Sequence, residues 1–447
     1  MRALLVLLLL CLAAPANAAP WFKSEQWTLP NGLQVVILPN HRAPLVHVSV
    51  WYRTGGADDP MGQSGVAHYL EHLMFRGTKE FAGGVHSANV KAWGGDDNAF
   101  TSLDVTSYFE TVPTDKLGEA LKMEASRMHA IAPKADEAET EHQVIQQERF
   151  QTIESDPERL FSESSNAQFF PGHVYGRPII GYPDEIKNLT LQQAKTFHDT
   201  WYGPDNAILI LAGDVDRKSA ETLVAQAFGP LSNRPRPAHL HQVNKPQPLR
   251  NDVYMQRCDA RVEQASVGVS IPLPAGEDDL QTNLTAQILS TIMDGDVTSP
   301  LYKILVEDKK VATAIGVSYD THLKVANALD ISVWPVDGQS PQAVLKAIDQ
   351  ALPQAIAAIS EEDVTRAIAQ LRLSTELASD QPIGLAMNIG YQLALGYTIH
   401  DLLVEPDLLD AVTVADVQRL ARQNLFTTAR GKLRTALLPE GDAACAR

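Results

Sequence analysis

The chain has 447 residues, a formal net charge of −17 and 3 cysteines. Acidity of this size without a basic stripe disfavours binding to nucleic-acid phosphates. The length favours two or more domains, and the cysteines are too few for a disulfide framework.

Met1–Ala18 reads as a secretory signal peptide. Arg2 gives the positive start, Ala3 to Ala14 are almost uniformly apolar, and Ala16-Asn17-Ala18 is a small-x-small cleavage site. The apolar run is well short of the roughly 20 residues of a membrane span. Cys11 has no small residue before it, as a lipoprotein cleavage site would need. Export of this kind directs the mature chain to the periplasm, with extracellular release as the next choice. Cleavage leaves Cys258 and Cys445, which in an oxidising compartment are as readily two free thiols as a pair.

Val46 to Tyr52 alternates like a half-buried strand and leads to Gly56-Ala57-Asp58-Asp59. A helical pattern follows, with Val66, Leu70, Leu73 and Met74 on one face. Thr190 is placed to cap a helix over Leu191 to Phe197, and Ala207 to Ala212 reads as a strand. The same series recurs about 220 residues later. There a strand over Ser266 to Ile271 leads to Ala275-Gly276-Glu277-Asp278-Asp279, then to a helix carrying Leu284, Ile288, Leu289, Ile292 and Met293. Thr413 heads the next helix, and Arg434 to Leu438 form the last strand. The constant offset indicates duplication. Between the copies, Asn233 to Arg250 holds four prolines among polar residues, the composition of an extended linker. The expected fold is α+β: two homologous halves, 19–232 and 251–447, each an antiparallel sheet with packed helices, joined by linker 233–250 and facing each other across a cleft.

The chemistry is concentrated in His68-Tyr69-Leu70-Glu71-His72. On a helix, His68 and His72 lie one turn apart on one face, where their imidazoles can converge on one zinc ion. Glu71 lies beside them, placed to accept a proton from water. This is an inverted H-x-x-E-H zincin motif. Histidines on an amphipathic helix are more often satisfied, partly buried residues, but two of them flanking a glutamate shift that balance. A catalytic zinc takes three protein ligands and leaves one position open. Ala135 to Phe150 is a helix-like stretch dense in acids, with Glu141 and Glu148 two turns apart and Val144 and Ile145 available to pack inward. Asp136, Glu137 and Glu139 read as a solvated face, and Glu148 as the third ligand. The corresponding second-half helix offers Gln287, Ser290 and Thr291, none of which suits zinc.

These residues resemble the pitrilysin/insulinase family, in its smaller mitochondrial-processing-peptidase-like bacterial branch, over essentially the whole mature chain. The resemblance implies a zinc-dependent endopeptidase acting on peptides or unfolded small polypeptides. It implies one Zn2+ per chain held by His68, His72 and Glu148, with Glu71 as general base and Glu141 as a supporting carboxylate. Trp93 to Ser102 resembles the family strand to which peptide substrates add by backbone pairing, making Asn98, Ala99 and Phe100 the implied substrate contacts. Read without the resemblance, Asn98 is equally a turn residue.

One departure matters. Active relatives carry a second-half arginine and tyrosine that hold substrate, and Pro300 and Thr313 stand at those positions here. Donors of that kind are worth around 10² to 10³ in rate, so the chain alone should be a weak enzyme. The expected arrangement is a heterodimer with a homologous chain that supplies the pair and lacks the zinc motif. A non-catalytic, peptide-binding or scaffolding member is the competing reading, but a scaffold has no use for a general base. A zinc-storage protein likewise needs no acid beside its ligands.

Overall fold

Strand β3, Leu45–Tyr52, was expected to bury one face, yet every residue after Leu45 is buried. In the computed structural model, Val46, Val48, Val50 and Tyr52 join the core of the first half. The opposite side presents Trp51 to helix Pro382–Leu395 of the second half. An alternating pattern in sequence records only one covered face; here a distant segment covers the other. The structure describes residues 21–239, 246–275, 279–295, 297–427 and 430–446. The expected signal peptide, linker residues 240–245 and the Gly276-Glu277-Asp278 part of the second matched tract lie outside them.

The first sheet contains β1 (Glu25–Thr28), β2 (Gln34–Pro39), β3, β4 (Asp96–Thr101), β5 (Thr106–Pro113) and β6 (Ala207–Gly213), in the order β1-β2-β6-β3-β5-β4. The second contains β7 (Val253–Asp259), β8 (Ser266–Leu273), β9 (Ala312–Tyr319), β10 (Asn327–Pro335) and β11 (Leu433–Pro439), in the order β7-β11-β8-β10-β9. Apart from β1 the two orders correspond strand for strand. Each is antiparallel except for one parallel pair, β2 with β6 and β7 with β11. The same pairing pattern in both sheets carries the duplication from sequence into topology. The threonine caps also recur: Thr190 accepts the Gln193 amide and Thr413 the Asp416 amide, each heading a capping box.

The halves meet along a buried seam. Ala386, Ile389 and Leu393 pack against Val36, Ile208 and Ile210. Gly390 lies so close to Trp51 that a Cβ there would stand 2.1 Å from the indole. Further along, the Tyr391 hydroxyl donates to Ser102 Oγ at 2.8 Å. A second contact ties the Tyr175 hydroxyl to Asp104 (2.6 Å), while the Lys324 and Val325 amides donate back to it. Leu231 to His239 carry no helix or strand. Arg234 of this segment bonds Asp199 (2.9 Å), and His239 stacks on Trp201. Cys258 and Cys445, left open by the sequence, form a disulfide that ties β7 to the end of the chain.

Candidate active site

The histidine helix α1, Val66–Leu73, starts without a capping side chain. Gly65 precedes it in the left-handed region (φ 88°), where a Cβ would sit 2.5 Å from the Ile180 carbonyl oxygen. The buried Asp59 carboxylate takes the missing cap's place, accepting the Gly65 amide at 2.6 Å and the Ala67 amide at 3.0 Å. Val66, Ala67, Leu70 and Leu73 are fully buried, which turns His68, Glu71 and His72 to the other side. The α1 register is tied to helix Ala135–Arg149 by the Tyr69 hydroxyl, which donates to the Ala138 carbonyl at 2.8 Å.

Helix Ala135–Arg149 brings up the carboxylates. Ile145 is buried as expected, but Val144 is 42 % exposed. Neighbours on a helix point about 100° apart, so only one of the two faces α1. The α-helix passes into a π-helical turn, Phe150–Glu154, a local widening found often at functional sites. Arg149 pins the junction from a buried position. It forms two 2.9 Å bonds to Glu163, with further bonds to Glu154 and the Gly181 carbonyl. Glu148 is thus held on the residue next to a fixed point.

Glu148 Oε2 lies 3.7 Å from His68 Nε2 and 3.4 Å from His72 Nε2. The two rings meet edge to face with centroids 4.9 Å apart. The three ligand atoms fall within 4.8 Å of one another, a set able to hold one metal ion. Glu141 is outside that set. It accepts from His72 Nδ1 at 3.0 Å, and its other oxygen pairs with Arg76 at 2.5 Å. Glu141 therefore fixes the His72 ring from behind, the arrangement that orients metal-ligating histidines.

Electrostatics separates the two rings. Burial, then the neighbouring His72, lowers the His68 pKa to about 4, so its ring is neutral with a lone pair free. Burial also acts to lower His72, but hydrogen bonds to Glu141 and Glu148 outweigh it and raise its pKa to about 9, so a metal binding at this ring displaces its proton. Burial raises Glu71 against the pull of its Thr101 hydrogen bond, the direction that makes a carboxylate a stronger base. The donor set, two imidazoles and a carboxylate with a fourth direction open to a cavity, fits zinc.

The Thr101 hydroxyl donates to Glu71 Oε2 at 2.5 Å, joining Glu71 to β4. β4 pairs with β5 on one side and, among the described residues, with no strand on the other. Asn98 is exposed and accepts the Ala99 amide. Ala99 packs against the first-half core. The Phe100 ring is taken up by Trp51 and Tyr391, at 5.7 and 6.0 Å between centroids. Pro300 is buried in a short helix capped by Ser299, and the exposed Thr313 hydroxyl donates to the Trp334 carbonyl at 3.1 Å.

Sequence reasoning missed Asp59, Arg76, Arg149 and Thr101 as supports. Arg76 and Arg149 carried a faint signal, one a helical turn beyond His72 and the other adjoining Glu148. Thr101 lay within the Trp93 to Ser102 tract but gave no sign of reaching Glu71, and Asp59 carried none, because only the folded sheet brings them to α1.

The family model described as Insulinase (Peptidase family M16) matches residues 34–182, and that described as Peptidase M16 inactive domain matches 188–371. The boundary between them precedes β6, which nevertheless completes the first sheet. The chain is 31% identical over 367 residues to the zinc protease PqqE of Helicobacter pylori, covering 80% of each. It is 25% identical over 411 residues to a probable mitochondrial-processing peptidase subunit beta of Arabidopsis thaliana, covering 89% of this chain and 76% of the relative. The crystal structure of a protease from Helicobacter pylori superposes with a TM-score of 0.84 at 26% identity, over 94% of this chain and 100% of the other. With both family segments present and a relative above 30% identity over four-fifths of each chain, this protein belongs to the insulinase (peptidase M16) family.

Proposed function

We propose that this chain is a zinc endopeptidase cutting peptides or unfolded small polypeptides, and that it works in the periplasm as the metal-bearing subunit of a heterodimer. The observation that carries this reading is the convergence of His68 Nε2, His72 Nε2 and Glu148 on one point beside Glu71. Zinc, when bound there, supplies Lewis acidity toward a carbonyl and its attacking water. The chain's own residues do the rest. Glu71, raised by burial and aligned by Thr101, takes the proton of the attacking water and delivers it to the leaving amine. The open edge of β4 receives the substrate as an added strand, with Asn98 and Ala99 at the contact, and backbone pairing of this kind reads sequence loosely. Phe100 contributes through its backbone, since its ring is committed to the seam.

Export rests on Met1–Ala18, and the domain limits on the linker composition. No helix among the described residues is long and apolar enough to cross a membrane. The heterodimer rests on Pro300 and Thr313, neither of which offers the charge or reach of an arginine or tyrosine. The same departure favours the alternative of a non-catalytic, peptide-binding member. One experiment separates them: purify the chain alone and with a homologous chain carrying the arginine-tyrosine pair, then compare each with its Glu71→Gln variant. The peptidase reading expects zinc retained in both and hydrolysis reduced about 10² to 10⁴-fold by the substitution. Zinc-loaded assemblies that bind peptides and never cut them would establish the alternative, and full activity of the isolated chain would remove the heterodimer.

A further inference from the structure

A cavity of about 430 Å³ opens beside the ligand cluster, lined by His68 and Glu148 and also by Arg159, Glu163 and Arg177. Its charges are unevenly matched. Glu148 faces the two histidines. Glu163 is taken by the buried Arg149 in a two-pronged bond. Arg159 leans on Asp156 at 3.6 Å and is largely exposed. Arg177 has no such partner. Among the described residues its guanidinium reaches only the Ala57 carbonyl, at 3.5 Å, and the Met61 sulfur, at 3.9 Å. Its Nε is buried and makes no hydrogen bond. Asp59, the buried acid that feels its charge, spends its oxygens on the amides that start α1. Gly181, four residues on, lies against the residues that lead into α1, where an added Cβ would stand 2.3 Å from the Ser64 carbonyl oxygen. The loop carrying Arg177 is thereby held beside the ligands.

A half-buried guanidinium with unmade hydrogen bonds is costly unless a ligand supplies the missing acceptors, which a carboxylate does best. In a chain of net charge −17, a cation facing the cavity with its hydrogen bonds largely unmade is also a selective feature. We propose that Arg177 forms a carboxylate-binding subsite, so that the enzyme favours peptides presenting a carboxylate close to the bond it cuts. The carboxylate is either an acidic side chain or the free C-terminus. This inference rests on the peptidase reading above for where the peptide lies.

The test measures peptide binding to the zinc-loaded Glu71→Gln protein, with its partner chain if one is needed, by fluorescence anisotropy. Three peptides differ only in one Glu with an amidated end, Gln with an amidated end, and Gln with a free C-terminal acid. Arg177→Gln should weaken the Glu peptide, the free-acid peptide, or both by about tenfold or more, and the neutral peptide by less than about twofold. Arg177→Lys, which keeps the charge and loses the fork, should recover part of the preference. Loss on the side-chain acid alone, or on the free acid alone, identifies the source of the carboxylate. An equal loss on all three peptides, or no loss on either acidic one, overturns the subsite. Zinc content and cleavage of the neutral peptide by protein with Glu71 intact are read separately. An Arg177-dependent acid preference in a chain that never cuts would support the subsite and refute the peptidase.

Discussion

The two copies of the fold place a helix at the same position after the same strand, and, among the described residues, only one gathers a set of side chains able to hold a metal ion. In the first half α1 presents His68 and His72, whose Nε2 atoms face Glu148, while His68 Nδ1 is buried with no partner. In the second half, helix Leu280–Met293 is polar too, but its groups close on one another. Asn283 donates to the Tyr397 hydroxyl, Gln287 donates to Asn283, Thr285 to the Gln281 carbonyl and Ser290 to that of Val317. The contrast shows how to tell a polar core from a site. Structural polar groups close in pairs, whereas a site converges several ligand atoms on a common point. The start of each helix differs in the same sense. Asp279 caps its own helix through the Thr282 amide, while α1 depends on Asp59 from an earlier segment, which fixes its position to the rest of the cavity.

The sharpest way to break this comparison is to delete a converging ligand. His72→Ala should leave the chain folded but reduce bound zinc to near none, by metal analysis of purified protein. Thr291→Ala, at the second-half position matching His72, should leave zinc content unchanged. Equal metal loss in both would mean that the halves are not distinguished as argued. A large effect on the frame is expected from Gly390→Ala, since Trp51 cannot withdraw from a Cβ at 2.1 Å. Overpacking of this kind costs about 1 to 3 kcal/mol, and the rigid indole puts this case near the upper end, measurable by denaturant unfolding. Glu141→Gln should weaken zinc affinity by about 10 to 100-fold while leaving cleavage largely intact at saturating metal. If cleavage fell at full occupancy, Glu141 would act on substrate rather than on the His72 ring.

A further effect concerns the seam. Burial raises the Asp104 pKa from the ordinary carboxylate value to about 6, against the pull of its hydrogen bond from Tyr175. The folded state therefore binds a proton that the unfolded state has released between about pH 4 and 6. That contribution is fully present below the unfolded value and is lost as pH rises through 6. The swing is on the order of 3 kcal/mol. Asp104→Asn should flatten the fall in stability across that window, as read by urea unfolding at several pH values. An unchanged slope would show that other groups govern it.

Much of the frame was legible in sequence because it depends on short-range regularities. Alternation fixed Val46 to Tyr52 as a strand, threonine caps marked two helix starts, and the recurrence of both exposed the duplication. The H-x-x-E-H spacing likewise determined that two imidazoles share a helical face. Tertiary structure decided the rest. It covered the second face of β3 with a helix more than 300 residues away in the chain and paired Cys258 with Cys445. It set Thr101 against Glu71 and Asp59 beneath α1, and, among the described residues, left the Arg177 Nε buried without a hydrogen bond. The physical reason is common to all of these. Periodicity and capping are local energies written within a few residues, whereas burial, pairing and charge balance belong to atoms that become neighbours only when the sheets close.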